Sequence, residues 1–145
     1  MSATAGSAAG QHGLVDKLGI DAGAVVQEIG WDDDCDEDLR NLVRERTGGD
    51  LVDENYDDVV DCVMMWWREG DGDLVDALVD ALGPLADHGV IWLLTPKAAR
   101  DGHVEPSDVS EAAPTAGLQQ TSSISACRDW NGARLVAPKA ARKTR

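Results

Sequence analysis

Three cysteines are the residues of this chain with the clearest capacity for redox chemistry: Cys35, Cys62 and Cys127. Cys62 falls inside an apolar run, so burial should raise its thiol pKa and make it a small, unreactive hydrophobe. Cys35 should begin an acidic helix, where the helix dipole favours the thiolate and the carboxylates oppose it, so we expect an exposed, slow thiol. Cys127 should lie at a strand end near Trp130. All three are redox candidates, and no pair is assigned as a disulfide.

Patterns typical of metal sites and catalytic nucleophiles do not fit this sequence. Aspartates alternate from position 32 to 38 as in a calcium loop, but Glu37 or Leu39 stands where the sharp turn needs glycine. The cysteines are too widely spaced for a zinc site, and no G-x-S-x-G frame is present. We therefore predict a protein that is not an enzyme and holds neither metal nor cofactor.

Five tryptophans, with one tyrosine and no phenylalanine, make an unusual aromatic set for a small core. The doublet Trp66–Trp67 would place one ring on each face of a sheet, near its carboxyl end. Core packing is the favoured interpretation, although an exposed ring could anchor a partner. In an alternative hypothesis, Trp31, Trp66 and Lys97 line a crevice at the carboxyl ends of the strands that holds a small molecule.

Charge narrows the class of partner. The 145 residues carry 27 acidic against 13 basic side chains, a net charge of -14, with most of the acids between residues 28 and 80. Nucleic acid and anionic membranes are disfavoured, and a basic protein is favoured. No apolar run has the length of a membrane span and no secretion signal is recognisable, so we expect a cytoplasmic protein. The oligomeric state stays open.

Apolar patterning predicts strands that must position these residues. The first spans 25–29, and a short one is expected at Leu51–Val52. The segments 58–67 and 90–94 are almost wholly apolar, which is typical of parallel strands covered on both faces, and we place 58–67 at the sheet centre.

Helix signals fall between these strands. A capping box of Asp34 and Glu37 should start the first helix, which glycine at 48 ends. Asp73 should cap a second helix whose apolar stripe reaches Leu85. A third should begin near 107 and be cut short by Pro114.

The end of the chain predicts an antiparallel hairpin, with residues 118–127 leading to a turn at Asn131–Gly132 and a return strand at 133–137. This order predicts an α/β fold, a small Rossmann-like open sheet that is mostly parallel and closes with the hairpin. The domain should span 14–138, with a flexible tail at 1–13 and a basic tail at 139–145.

The element order resembles the sheet of S-adenosylmethionine methyltransferases, and residues 82–92, LGPLADHGVIW, resemble the passage before their fifth strand. The pattern departs where the cofactor would bind, because Gly30, Trp31 and three aspartates replace a glycine-rich loop. The alternative function that follows is a small-molecule or S-adenosylmethionine-binding protein with a degenerate crevice.

Long stretches between about residues 18 and 139 resemble a family of small acidic actinobacterial proteins classed as a domain of unknown function. They are VVQEIGW at 25–31, GDGDLVDALVD at 70–80, GVIWLLTPK at 89–97, GHVEPS at 102–107 and RLVAPK at 134–139. The family includes the actinomycete oxidative stress regulator. The resemblance implies a redox-responsive regulator of transcription that contacts a sigma factor or RNA polymerase. In the favoured hypothesis, the acidic surface steers the protein to a basic partner, and oxidation of Cys35 or Cys127 controls that contact.

Overall fold

A computed structural model describes residues 17–137, which form one five-stranded sheet flanked by helices. The strands are β1 (Val26–Ile29), β2 (Val60–Trp66), β3 (Leu85–Pro96), β4 (Gln119–Ser125) and β5 (Trp130–Val136). The helices are α1 (Glu37–Thr47), α2 (Leu74–Leu82) and α3 (Pro106–Thr115). The predicted tails at 1–13 and 139–145 lie outside the described residues.

The strand order is β1-β2-β3-β5-β4, with β1, β2 and β3 parallel and β5 antiparallel to both of its neighbours. The predicted α/β class, a small Rossmann-like sheet with a C-terminal hairpin, is confirmed. The prediction that residues 58–67 form the sheet centre is wrong, because the hairpin adds two strands beyond β3 and makes β3 central. The predicted strand at Leu51–Val52 is reduced to a single bridge between Val52 and Gln27.

One hydrophobic core lies on each face of the sheet. Side chains of α2 and α3 pack against one face, and those of α1 pack against the other. Trp66 belongs to the α1 core and Trp67 packs against the other, as their alternation along the chain predicts. No helix within residues 17–137 combines the length and apolarity needed to cross a membrane.

Two helix boundaries differ from those predicted. The N-cap of α1 is Asp36 and not Asp34, because the Asp36 carboxylate accepts a hydrogen bond from Leu39 N. Asp73 caps α2 as predicted, but the helix ends before Leu85, which begins β3.

Pro114 does not cut the third helix short. It lies in the last turn of α3, where a missing N–H costs one hydrogen bond, and the helix continues to Thr115.

The predicted turn at Asn131–Gly132 is wrong, because both residues lie inside β5 and pair with Thr95 and Leu94 of β3. The hairpin instead turns at residues 126–129. Gly132 serves packing rather than a turn, since a Cβ there would lie 3.2 Å from the Trp92 ring. A glycine in a strand can mark such a close approach as well as a turn.

Candidate functional site

The candidate site lies at the carboxyl ends of β1 and β2, the edge at which open α/β sheets hold ligands. Gly30 follows β1 with φ +81°, and a Cβ there would lie 2.3 Å from the Trp66 carbonyl oxygen. Only glycine permits both this backbone conformation and this approach. The Gly30 N–H donates to the Glu54 carboxylate at 2.9 Å, so it already has a partner within the chain.

Arg68, two residues after β2, reaches back across these strand ends. Its Nη1 donates to the carbonyl oxygens of Gly30 at 2.9 Å and Trp66 at 3.3 Å. Its Nε and Nη2 donate to the two carboxylate oxygens of Asp34 at 2.9 and 2.5 Å, and Nη2 also donates to Cys35 Sγ at 3.3 Å. An arginine has five N–H donors, and each of these has an acceptor here.

The electrostatics of this pair follow from its geometry. The hydrogen bonds from Arg68 hold the pKa of Asp34 below its ordinary value, and those same bonds raise the pKa of Arg68. Only 16% of the Arg68 side chain is exposed, and its Cζ lies 5.2 Å from the centre of the Trp130 ring. The guanidinium thus joins β1, β2, the loop before α1, and β5.

A second buried charge, the carboxylate of Glu28 in β1, lies close to these strand ends. Glu28 is only 8% exposed, and both of its carboxylate oxygens accept hydrogen bonds from Arg40, at 2.6 and 2.8 Å. Trp66 Nε1 also donates to Glu28, at 2.9 Å, and its ring meets Trp130 edge to face at 4.8 Å. Because this carboxylate is paired and hydrogen-bonded, its burial is compatible with a structural role.

The three residues of the hypothetical crevice lie in different surroundings. Trp66 is 1% exposed and belongs to the core, whereas Trp31 is 49% exposed and lies 5.4 Å from the Arg40 guanidinium. Lys97 follows β3 and donates from Nζ to Ser125 Oγ. No hydrogen bond or ring contact joins the three side chains.

The cysteines are all free thiols. Cys35 is half-buried and not exposed as expected, and burial raises the pKa of its thiol to about 11. Cys127 is also half-buried, in the β4–β5 turn, and burial followed by the nearby Asp36 carboxylate raises its pKa to about 12. Cys62 is buried, and desolvation raises its pKa to about 12. All three thiols are therefore protonated at neutral pH.

Sequence patterns missed Glu28, Arg40 and Arg68. A signal existed for Glu28, because it is a charged residue within a strand that begins and ends with apolar residues. Arg68 simply follows the Trp66–Trp67 doublet, and its spacing gave no indication that it reaches Asp34. No group of three or more potential metal ligands is assembled within residues 17–137.

Solved structures similar to this one include S-adenosylmethionine-dependent methyltransferases. A methyltransferase from Aquifex aeolicus superposes with a TM-score of 0.56 at 12% identity, covering 86% of this chain and 88% of that one. A TehB-like methyltransferase from Corynebacterium glutamicum gives 0.54 at 13% identity, covering 89% and 88%. The mitomycin 7-O-methyltransferase MmcR gives 0.60 at 10% identity, covering 81% of this chain and 50% of that one. At such identities the likeness shows a shared fold alone.

Relatives in sequence are mycobacterial. The uncharacterized protein Rv2239c of Mycobacterium tuberculosis is 55% identical over 123 residues, which cover 85% of this chain and 77% of the relative. The uncharacterized protein Mb2263c of Mycobacterium bovis matches to the same extent. Residues 15–139 match the family model described as protein of unknown function (DUF3052), and the chain belongs to that family.

Proposed function

We propose that this protein is not an enzyme and acts by contact with a basic protein partner. The observation that carries the proposal is the exposed ring of Trp31 in a surface rich in carboxylates. Asp32, Asp33, Glu37 and Asp38 are all exposed within seven positions of this ring. Aromatic anchors with charged surroundings are typical of energetically important interface residues, and negative charge selects a basic partner.

Closure of the neighbouring crevice supports contact rather than catalysis. All five N–H donors of Arg68 have acceptors within the chain, and the Gly30 N–H has Glu54. A cofactor entering at these strand ends would have to break several of these bonds. The alternative hypothesis, an S-adenosylmethionine crevice, has the fold in its favour and this network against it.

The partner class that we propose is a sigma factor or RNA polymerase. Support comes from the resemblance to the family of the oxidative stress regulator and from the net charge of -14, which disfavours direct binding to nucleic acid. In this hypothesis the protein regulates transcription through protein contact alone.

Redox control is a further part of the proposal. Cys35 takes part in the Arg68 network, and Cys127 lies beside Asp36, the residue that follows Cys35. Because both thiols are protonated at neutral pH, their oxidation should be slow and should require local opening of the structure. Oxidation of either would disturb the surface next to Trp31.

Binding to purified actinobacterial sigma factors and core RNA polymerase tests the contact. We expect wild-type protein to bind at least one of them and Trp31→Ala to weaken that binding about 30-fold, as for a strong interface anchor. Val59→Ala is the matched control, because Val59 is also a large exposed hydrophobic residue. Failure of the wild type to bind any of them, or unchanged binding by Trp31→Ala, would overturn the proposal.

The redox part is tested by repeating the measurement after mild peroxide treatment. The affinity of the wild type should change, whereas that of a Cys35→Ser, Cys127→Ser double variant should not. Cys62→Ala should respond as the wild type does. If all three proteins respond alike, redox control is rejected and the contact proposal stands on the Trp31 result.

A further inference from the structure

A pocket of about 340 Å³ lies between α3 and the β4–β5 hairpin, away from the Arg68 network. Its volume is at the small end of the range for ligand sites. None of the side chains that line it is charged, although 28% of the chain's residues are. The lining mixes apolar groups such as Val104 and Val109 with hydroxyl and amide side chains.

Three polar side chains form a row along this pocket. Thr95 of β3 pairs with Asn131 of β5, and Asn131 pairs with Ser125 of β4. Residues directly opposite each other in antiparallel strands point to the same face of a sheet. All three residues line the pocket, so it has a polar strip across three strands.

Two members of this row lack hydrogen-bond partners. Thr95 is only 7% exposed, yet its hydroxyl bonds to no atom of residues 17–137, and neither does the side-chain amide of Asn131. Neither polar group is enclosed within the protein, so both can bond to a molecule that enters the pocket. A donor and an acceptor thus stand side by side in the pocket with their bonding capacity unused.

A positive charge lies next to the row. Lys97 lies one residue beyond the end of β3, and its contact with Ser125 places its ammonium at the end of the row. Its ammonium donates to Ser125 Oγ, and within the described part of the chain it has no carboxylate at ion-pair distance. In a chain with 27 acidic residues, this leaves a cation available for an anionic group.

We propose that this pocket binds a small organic acid, with a hydroxyl or carbonyl group on the Thr95–Asn131 pair and its carboxylate beside Lys97. The uncharged lining suits the compact body of such a molecule. The site is independent of the Trp31 surface and of the proposed partner contact.

Heteronuclear NMR titration of the full chain with small monocarboxylates tests the site. The probes are lactate, 2-oxobutyrate and 3-hydroxybutyrate, each compared with its neutral amide. We expect at least one acid to cause saturable shifts at Thr95, Asn131 and Lys97, and its amide to bind about tenfold more weakly or less. Absence of saturable shifts with every acid, or equal binding of acid and amide, would overturn the proposal.

Two variants with matched controls separate the site from the fold. Thr95→Val keeps the side-chain shape and Lys97→Met keeps the length, and each should lower the affinity about tenfold while the protein stays folded. Thr121→Val and Lys17→Met should bind as the wild type does, because neither residue lines the pocket or, unlike Lys97, has a hydrogen bond to a residue that does. Wild-type affinity in either pocket variant contradicts the assignment.

Discussion

The Arg68 network and the α3 pocket belong to one sheet but differ in how their polar groups are used. At the ends of β1 and β2, every N–H of Arg68 has an acceptor. At the pairing of β3 with β5, the hydroxyl of the buried Thr95 has no partner in the described residues. The edge where related folds hold ligands is saturated by the chain itself. A region at the usual ligand-binding edge of a fold therefore binds a ligand only if its polar groups are still free to bond to that ligand.

Gly30→Ala should have the largest effect on stability, because Gly30 makes the closest backbone approach in the Arg68 network. The new Cβ would lie 2.3 Å from Trp66 O and the backbone has φ +81°, so we expect a loss of about 3 kcal/mol in the free energy of unfolding. Urea denaturation measures it. Gly117→Ala has a similar φ with nothing within 4 Å and should cost about 1 kcal/mol. Equal losses would show that the close approach does not matter.

Arg68→Met removes the guanidinium but keeps most of the side-chain volume. It leaves the Gly30 carbonyl and the Asp34 carboxylate without this donor, so we expect a loss of about 2 kcal/mol in urea denaturation. Arg100→Met is the control, since Arg100 is 46% exposed and forms a 3.8 Å surface pair that is worth below about 0.5 kcal/mol. Similar losses in both variants would contradict a special role for Arg68.

The Asp34–Arg68 pair also predicts an acid-sensitive component of stability. Arg68 lowers the pKa of Asp34 in the folded state, so the pair stabilises the fold above the ordinary carboxyl pKa and loses this effect as the pH falls below it. The melting temperature of the wild type should fall more than that of Asp34→Asn between about pH 5 and pH 2. Asp33→Asn, at an exposed neighbouring position without a basic partner in the described chain, should follow the wild type.

Thr95→Val should have the smallest effect. The Thr95 hydroxyl has no partner among residues 17–137 and is not enclosed, so replacing it with a methyl group should change the free energy of unfolding by less than about 0.5 kcal/mol. Thr47→Val should lower it, because the Thr47 hydroxyl donates to Arg44 O and accepts from Gly49 N. A larger destabilisation by Thr95→Val would mean that its hydroxyl has a partner and that the two regions do not differ as described.

The fold was predictable from sequence where one strong signal governed each element. The wholly apolar runs around Val63 and Leu93 indicated buried parallel strands, and Asp73 marked the start of α2. Gly132 was misassigned because a glycine beside asparagine is also a turn signal. Its actual role depends on the Trp92 ring, which lies 40 positions away in sequence and beside it only in the folded sheet.

The candidate site was less predictable because its contacts join distant segments. Arg68 donates hydrogen bonds to the carboxylate of Asp34, 34 positions earlier, and Trp130 of β5 donates one to the Asp34 carbonyl oxygen. Cys35 was expected to be exposed, since helix-start chemistry gives no information on the burial that raises its thiol pKa to about 11. Trp31 and Trp66 were both candidates from sequence, but only tertiary packing distinguishes the exposed ring from the buried one.

Heteronuclear NMR of the full chain with about 1 mM S-adenosylmethionine tests the central claim, that the chain's own Arg68 closes the carboxyl-end crevice, most directly. The Gly30 amide and the Arg68 Nε–H report on the strand ends. We predict that neither signal shifts as the cofactor is added. Saturable shifts of both would show that the network opens to a ligand, and would contradict the account.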